Sequence, residues 1–254
     1  MKEKVNFQLF SGVSPKSIGL FRIAFGCVMM VEVYRYFIHG WIDKYWSIPA
    51  YNFGYWPFDF LKPLLQPGMD ILFVVLGLLA LFIALGLYYR VAISLFFLCF
   101  SYVFLLEQTR YLNHFYLISI LSFIMIFIDA NSWASLDNYR KKRKSSYVPK
   151  WQLWLLRFMI GVPYFFGGVA KINADWLAGE PLGEWLANDT DIPIIGPYFT
   201  EEWMIMLMSY SGLLLDLLLV PALLWRKTRL AALFVGACAR ITCSYLDISG
   251  AITH

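Results

Sequence analysis

Lys171, His114 and Asp216 stand where this sequence could do chemistry. Lys171 follows an apolar, aromatic run from Phe158 to Val169 and leads into Asn173, Asp175 and Trp176. Such a lysine has two readings. Its stem can lie in a bilayer while its ammonium snorkels to the interface. It can equally be a partly desolvated amine, whose charged form burial disfavours, and so a general base for a hydroxyl proton. His114 opens another apolar run after the polar break Glu107-Gln108-Thr109-Arg110. It is either an interfacial histidine or an acid–base group, and Glu107 and Arg110 have the i, i+3 spacing of a surface ion pair. Asp216 lies well inside Gly212-Leu213-Leu214-Leu215-Asp216-Leu217. A charge at that depth costs about 2.5–3.5 kcal/mol on insertion scales. Asp216 is therefore expected to be paired or protonated, as a structural clamp with Arg157 or Arg22 as counter-charge.

The elements that must position these residues are membrane helices. The 254 residues are 60% hydrophobic, 19% aromatic and only 15% charged, with a mean hydropathy of +0.61. The apolar residues come in long blocks, which predicts an all-α polytopic transmembrane bundle rather than a soluble domain. The predicted spans are residues 18–37, 69–88, 91–106, 113–128, 151–170, 203–224 and about 230–246, seven in all, forming a single domain over 1–254. The second and third are expected to meet in a tight turn at Tyr89-Arg90, and a short interfacial helix is expected around Leu182 to Ala187. Residues 38–67, with Pro49, Pro57, Pro63 and Pro67 among tryptophans and tyrosines, read as an irregular cap in the interfacial aromatic belt. Cys27, Cys99, Cys238 and Cys243 lie in apolar runs without metal-ligand spacing, so they read as buried small hydrophobes, and no metal site is expected. The first ten residues lack the apolar core and cleavage site of a signal peptide.

Charge gives the orientation. Most of the 21 lysines and arginines fall at one set of helix ends, above all the unbroken Arg140-Lys141-Lys142-Arg143-Lys144. The net charge of +4 thus reports topology and contact with anionic lipid rather than nucleic-acid binding. By the positive-inside rule the N-terminus is inside and the Lys171 end faces out. That places Glu107 to His114, Lys171 to Trp176 and the first loop on the same outer side. Ionisable groups at membrane depth face protein or a water-filled cavity. A site near the outer interface, formed by His114, Asn113, Gln108 and Lys171, is therefore expected. Its apolar, aromatic walls would suit a lipid-soluble ring compound with a polar head.

At these residues the sequence resembles the membrane part of the vitamin K-dependent γ-glutamyl carboxylases, the horizontally transferred transmembrane (HTTM) family. The matching pieces run in family order. They are Phe21-Arg22-Ile23-Ala24-Phe25-Gly26, Gly86-Leu87-Tyr88-Tyr89-Arg90, and Tyr102-Val103-Phe104-Leu105-Leu106-Glu107-Gln108-Thr109 leading to Asn113-His114. Asp129-Ala130-Asn131, Lys171-Ile172-Asn173-Ala174-Asp175-Trp176 and Gly212-Leu213-Leu214-Leu215-Asp216-Leu217 follow. The resemblance implies a lyase-class enzyme using reduced vitamin K with O2 and CO2. In that family the lysine matching Lys171 deprotonates the hydroquinone. The anion reacts with oxygen, giving a strongly basic alkoxide on the way to the epoxide. That base takes the γ-proton of a peptide glutamate, and the carbanion captures CO2. The histidine matching His114 assists at the glutamate step, while Asn113, Gln108, Arg110, Asp175 and Trp176 are the candidates for holding the quinone.

The pattern departs from the family near its end. Arg240 and Cys243 stand where the family has histidine and asparagine, and the sequence stops at His254, where carboxylases continue into further spans and a lumenal β-rich domain. Oxygenation of a quinol demands less of that region than carboxylation of a protein substrate does. The alternative is a non-enzymatic membrane protein of the same fold that binds a quinone or a partner. The expected partners are membrane lipids, a quinol and a glutamate-containing protein, and the expected location is a bacterial plasma membrane rather than the endoplasmic reticulum.

Overall fold

The computed structural model describes residues 9–49, 51–141, 147–187, 190, 192 and 195–245, with the side chains of 141 and 240–245 outside that description. The side chains of Arg240 and Cys243, residues 142–144 of the basic cluster and His254 thus lie outside the described residues. Among the described residues the regular structure is helical apart from one pair of two-residue strands. The chain divides into two compact units, residues 1–156 and 157–254.

The first unit is a run of antiparallel neighbours. Helices α1 (Lys16–Ile38), α2 (Gly68–Leu85), α3 (Tyr89–Leu105) and α4 (Asn113–Phe127) pack in chain order. Short α5 (Leu136–Lys141) follows, and β1 (Gly12–Val13) pairs antiparallel with β2 (Val148–Pro149). Helix α6 (Lys150–Ala170) starts in this unit and continues into the second. There α7 (Ala174–Leu177), α8 (Glu180–Leu186), α9 (Glu202–Leu224) and α10 (Arg229–Tyr245) complete the chain. The short helix α8 lies where the sequence placed it.

Four of these helices, α1, α2, α6 and α9, are long and apolar enough to cross a membrane, with mean hydropathies of 1.6, 2.6, 1.5 and 1.9. The other three apolar segments are shorter: Tyr89–Leu105, Asn113–Phe127 and Arg229–Ala239. The 17 residues of α3 give a rod of about 25 Å, against a hydrocarbon core of about 30 Å. Length is the reason the span count of seven is not met outright. Leu20, Val28, Ile71, Leu78, Leu207 and Leu214 are all exposed on their helices, an apolar exterior that suits lipid as solvent. Cys27 and Cys238 are also exposed and Cys99 is half-buried, so these thiols are not the buried hydrophobes expected. An apolar exterior makes burial unnecessary for a small apolar side chain.

The turn between α2 and α3 falls at Gly86 to Tyr88, earlier than Tyr89-Arg90. Gly86 ends α2 in the left-handed region, with φ 64°. A β-carbon there would collide with Ser135 and stand 2.7 Å from Arg22 Nη1. Tyr88, φ 45°, precedes α3, whose first free amides at Tyr88 and Tyr89 donate to the Asp137 carboxylate, both at 2.9 Å. A carboxylate at a helix N-terminus satisfies orphan donors and complements the dipole.

Arg22, fully buried, fastens the elements around that turn. Its Nη1 donates to the carbonyls of Ile83 and Ala84 at 2.5 and 2.6 Å, Nη2 to Ala134 at 2.6 Å and Nε to Ala130 at 3.1 Å. These carbonyls end α2 and line the 130–135 turns; that of Ile83 also accepts from the Gly86 amide at 3.1 Å, and Arg22 supplies a donor to each of the other three. Arg22 is therefore not the counter-charge of Asp216: its fork of donors is engaged with main-chain oxygens. Replacing Arg22 with Met leaves several carbonyls unsatisfied, each costing about 1–3 kcal/mol. We expect Arg22→Met to lower stability by at least ~3 kcal/mol, read as a fall in the unfolding midpoint in detergent. Arg22→Lys should recover only part of the loss, since one ammonium cannot reach as many oxygens.

Candidate functional site

Lys171 sits just past the C-terminus of α6. Its amide closes the last turn on the carbonyls of Gly167 and Gly168, at 3.3 and 3.1 Å. Asn173 then turns the chain into α7: its Oδ1 accepts from the Trp176 amide at 2.8 Å, and its Nδ2 donates to the Ala170 carbonyl at 2.7 Å. Asparagine is a favoured helix N-cap for this reason. The elbow brings the Trp176 ring to 4.9 Å from Lys171 Nζ, within cation–π range.

The other side of the amine is held by α9. Lys171 Nζ donates to Asp216 Oδ2 at 2.5 Å, with the side chains 22% and 20% exposed. The approach depends on small residues of α6. A β-carbon on Gly167 would stand 3.3 Å from Asp216 Oδ2, and one on Gly168 would stand 2.6 Å from a methyl of Leu217. Trp176 is fixed to α9 by reciprocal bonds: its Nε1 donates to the Ser209 carbonyl at 3.1 Å, and Ser209 Oγ donates to the Trp176 carbonyl at 2.5 Å. Asp216 is thus paired, as its depth requires, but with Lys171. Arg157 lies about four turns earlier in α6, too far along the helix to serve.

Three of the expected site residues, Lys171, Trp176 and Asp216, therefore form one cluster in the second unit. Asp175, in the first turn of α7, is exposed. Ser209 had no signal in the sequence, being one of two serines, with Ser211, in an apolar run. Asn173 was legible as part of a matching motif, although its role is a cap.

The remaining candidates lie in the first unit. Glu107 is buried and does not pair with Arg110. Its Oε1 accepts from Thr109 Oγ1 at 2.6 Å and the Thr109 amide at 3.2 Å, and its Oε2 from Asn52 Nδ2 at 3.0 Å and the Phe53 amide at 3.3 Å. The carboxylate thereby ties the first loop to the α3–α4 junction, helped by the Gln108 amide on the Phe53 carbonyl at 2.6 Å. Arg110 instead lies over the Tyr45 ring, 4.0 Å from its centroid. Asn113 and His114 are exposed at the start of α4, with the His114 ring edge-on to Phe115 at 4.7 Å. Asn52 was not legible as the Glu107 partner, because the bond crosses a long sequence separation.

A family model described as the HTTM domain matches residues 10–248 of the chain. No solved structure matches it.

Glu107 gives this junction a pH dependence. Burial alone would push its carboxyl up, but the bonds from Thr109, Asn52 and Phe53 favour the ionised form and together hold it below the ordinary value of 4.5. A folded-state pKa below the unfolded one adds stability that is complete above about pH 4.5 and is lost as pH falls through the folded value. The wild-type unfolding midpoint should therefore drop on acidification below pH 4.5 more steeply than that of Glu107→Gln. Parallel curves would remove Glu107 from this role.

Proposed function

Because the chain belongs to the HTTM family, which is linked to the vitamin K-dependent carboxylases, we propose that it is a membrane enzyme that oxygenates a reduced naphthoquinone to its epoxide. Lys171 is the base. The observation that carries this assignment is the amine's setting: past the end of an apolar helix, hydrogen-bonded to Asp216 at 2.5 Å and faced by the Trp176 ring at 4.9 Å. Those surroundings fit a hydroquinone. An amine can take a hydroxyl proton, and an indole face can stack on a planar ring. When bound, the quinol supplies, through its oxygenation, a base far stronger than any amine. That extra strength matters because a lysine cannot remove the γ-proton of a carboxylate.

His114 is assigned, on the family pattern, to the glutamate step, with Asn113, Gln108, Arg110 and Asp175 as candidates for holding the polar end of the quinol. Carboxylation of a glutamate-containing protein with CO2 is the further step of the same chemistry. In this proposal the chain crosses a bacterial plasma membrane seven times from an inner N-terminus, with Lys171 at the outer face. The bias of lysine and arginine toward the opposite helix ends supports that orientation.

The deciding experiment uses the purified protein in detergent with reduced vitamin K and oxygen. Wild type should form epoxide, and Lys171→Ala should lose at least about a hundredfold in rate, the usual scale of acid–base catalysis. A folded wild type that forms none would leave quinone or partner binding as the function of the fold. Labelled CO2 with a glutamate peptide then reads the carboxylation step.

A further inference from the structure

A lysine ammonium cannot accept a proton, and an ammonium hydrogen-bonded to a carboxylate is the charged form. Lys171 and Asp216 form such a pair, with Nζ and Oδ2 2.5 Å apart and each side chain about four-fifths shielded. To act as a base, Lys171 must first give up a proton, and the receiving group must be at hand. Release to bulk water would leave Asp216 as a lone carboxylate within an apolar helix, which is costly. The new anion on a substrate oxygen would then face it.

We infer, on the basis of the function proposed above, that Asp216 is the proton store of Lys171. A proton crosses the existing hydrogen bond: the N–H bond breaks, its electron pair stays on nitrogen, and an O–H bond forms on Asp216 Oδ2. The freed amine takes the hydroxyl proton of a hydroquinone, leaving the electron pair on the substrate oxygen. Before transfer the three groups are an ammonium, a carboxylate and a neutral hydroxyl. Afterwards they are an ammonium, a neutral carboxyl and a negative oxygen. The sum is zero in both states, and no carboxylate faces the new anion. Asp216 acts through Lys171 and is a positioning residue.

The geometry favours this over a simple clamp. Gly167 lets α6 approach the carboxylate without a β-carbon between them, and Trp176, held by Ser209, covers one face of the amine. The other titratable groups on elements packed here are few. Asp175 on α7, Glu202 and Tyr210 on α9, and Arg229 and Cys238 on α10 are exposed, while on α6 Tyr164 lies two turns back on the Lys171 stripe and Arg157 about four turns back. The side chain of Arg240, further along α10, is outside the described residues.

The full chain in detergent is mixed with menadiol, a reduced naphthoquinone, without oxygen, and its infrared difference spectrum recorded. A protonated carboxyl band should appear at the expense of a carboxylate in wild type and be absent in Asp216→Asn. Oxygen is then admitted and epoxide formation followed against pH. Asp216→Asn should lose about a hundredfold at neutral pH and recover as pH rises and water takes the proton, whereas Asp216→Glu should keep most of the activity. Epoxide formed without the carboxyl band, or an Asp216→Asn loss equal at every pH, overturns the proton store and leaves the proposed function standing. The band without epoxide overturns the proposed function and leaves the store. No menadiol binding overturns both. If Asp216→Asn does not fold, the wild-type band and the Asp216→Glu profile decide.

Discussion

Each charge held within an apolar medium has to be answered by the protein itself, and that constraint shapes both units. Arg22 is answered by main-chain carbonyls at the end of α2 and in the turns after α4. Asp216 is answered by Lys171. The two solutions differ in what they leave free. A guanidinium spread over carbonyls has no other protonation state to visit and serves as a rivet. An amine beside a carboxylate shares a proton that can move, so the same constraint yields a joint in one place and, under the proposed function, a reactive pair in the other.

The helical architecture was legible because apolar run length and charge bias report it directly. The first helix begins at Lys16, two residues before the predicted span, and α8 overlaps the range expected for it. Span length was less legible: α3 and α4 carry apolar runs of the right composition that stop short of a bilayer thickness. The turn before α3 was placed a few residues late because Tyr88 adopts a left-handed conformation that tyrosine seldom signals. Lys171 and Asp216 were each legible as polar residues out of place, but their partnership was not. It spans 45 residues in sequence and is set by the helix approach at Gly167 and Gly168, which only packing reveals. Glu107 misled for the same reason. Its nearest opposite charge in sequence is Arg110, yet local hydroxyl and amide donors satisfy it.

The aromatic residues divide by depth. Tyr36, Trp46 and Phe73 stack in a closed core at one end of the first unit, with Met69 and Leu106. Trp56, Phe60 and Tyr51 project from the same loop region without such cover, at 87%, 73% and 72% exposure. Amphipathic rings of this kind are stable at a headgroup boundary, so one loop supplies both a lid for its helices and a skirt toward lipid.

The two hydrogen bonds between Trp176 and Ser209 run in opposite directions across a single contact. One such bond permits swivelling about its axis, and a second, antiparallel to it, removes that freedom. A β-carbon on Gly179 would stand 2.7 Å from Ile205, so the close approach of the chain there extends the same fastening beyond α7. The indole plane beside Lys171 is thus a fixed wall, and adjustment on admitting a guest falls to the lysine's own rotatable stem. For the hydroquinone of the proposed function, a wall that does not turn would discriminate by flatness and width, a selection by ring shape independent of any proton transfer.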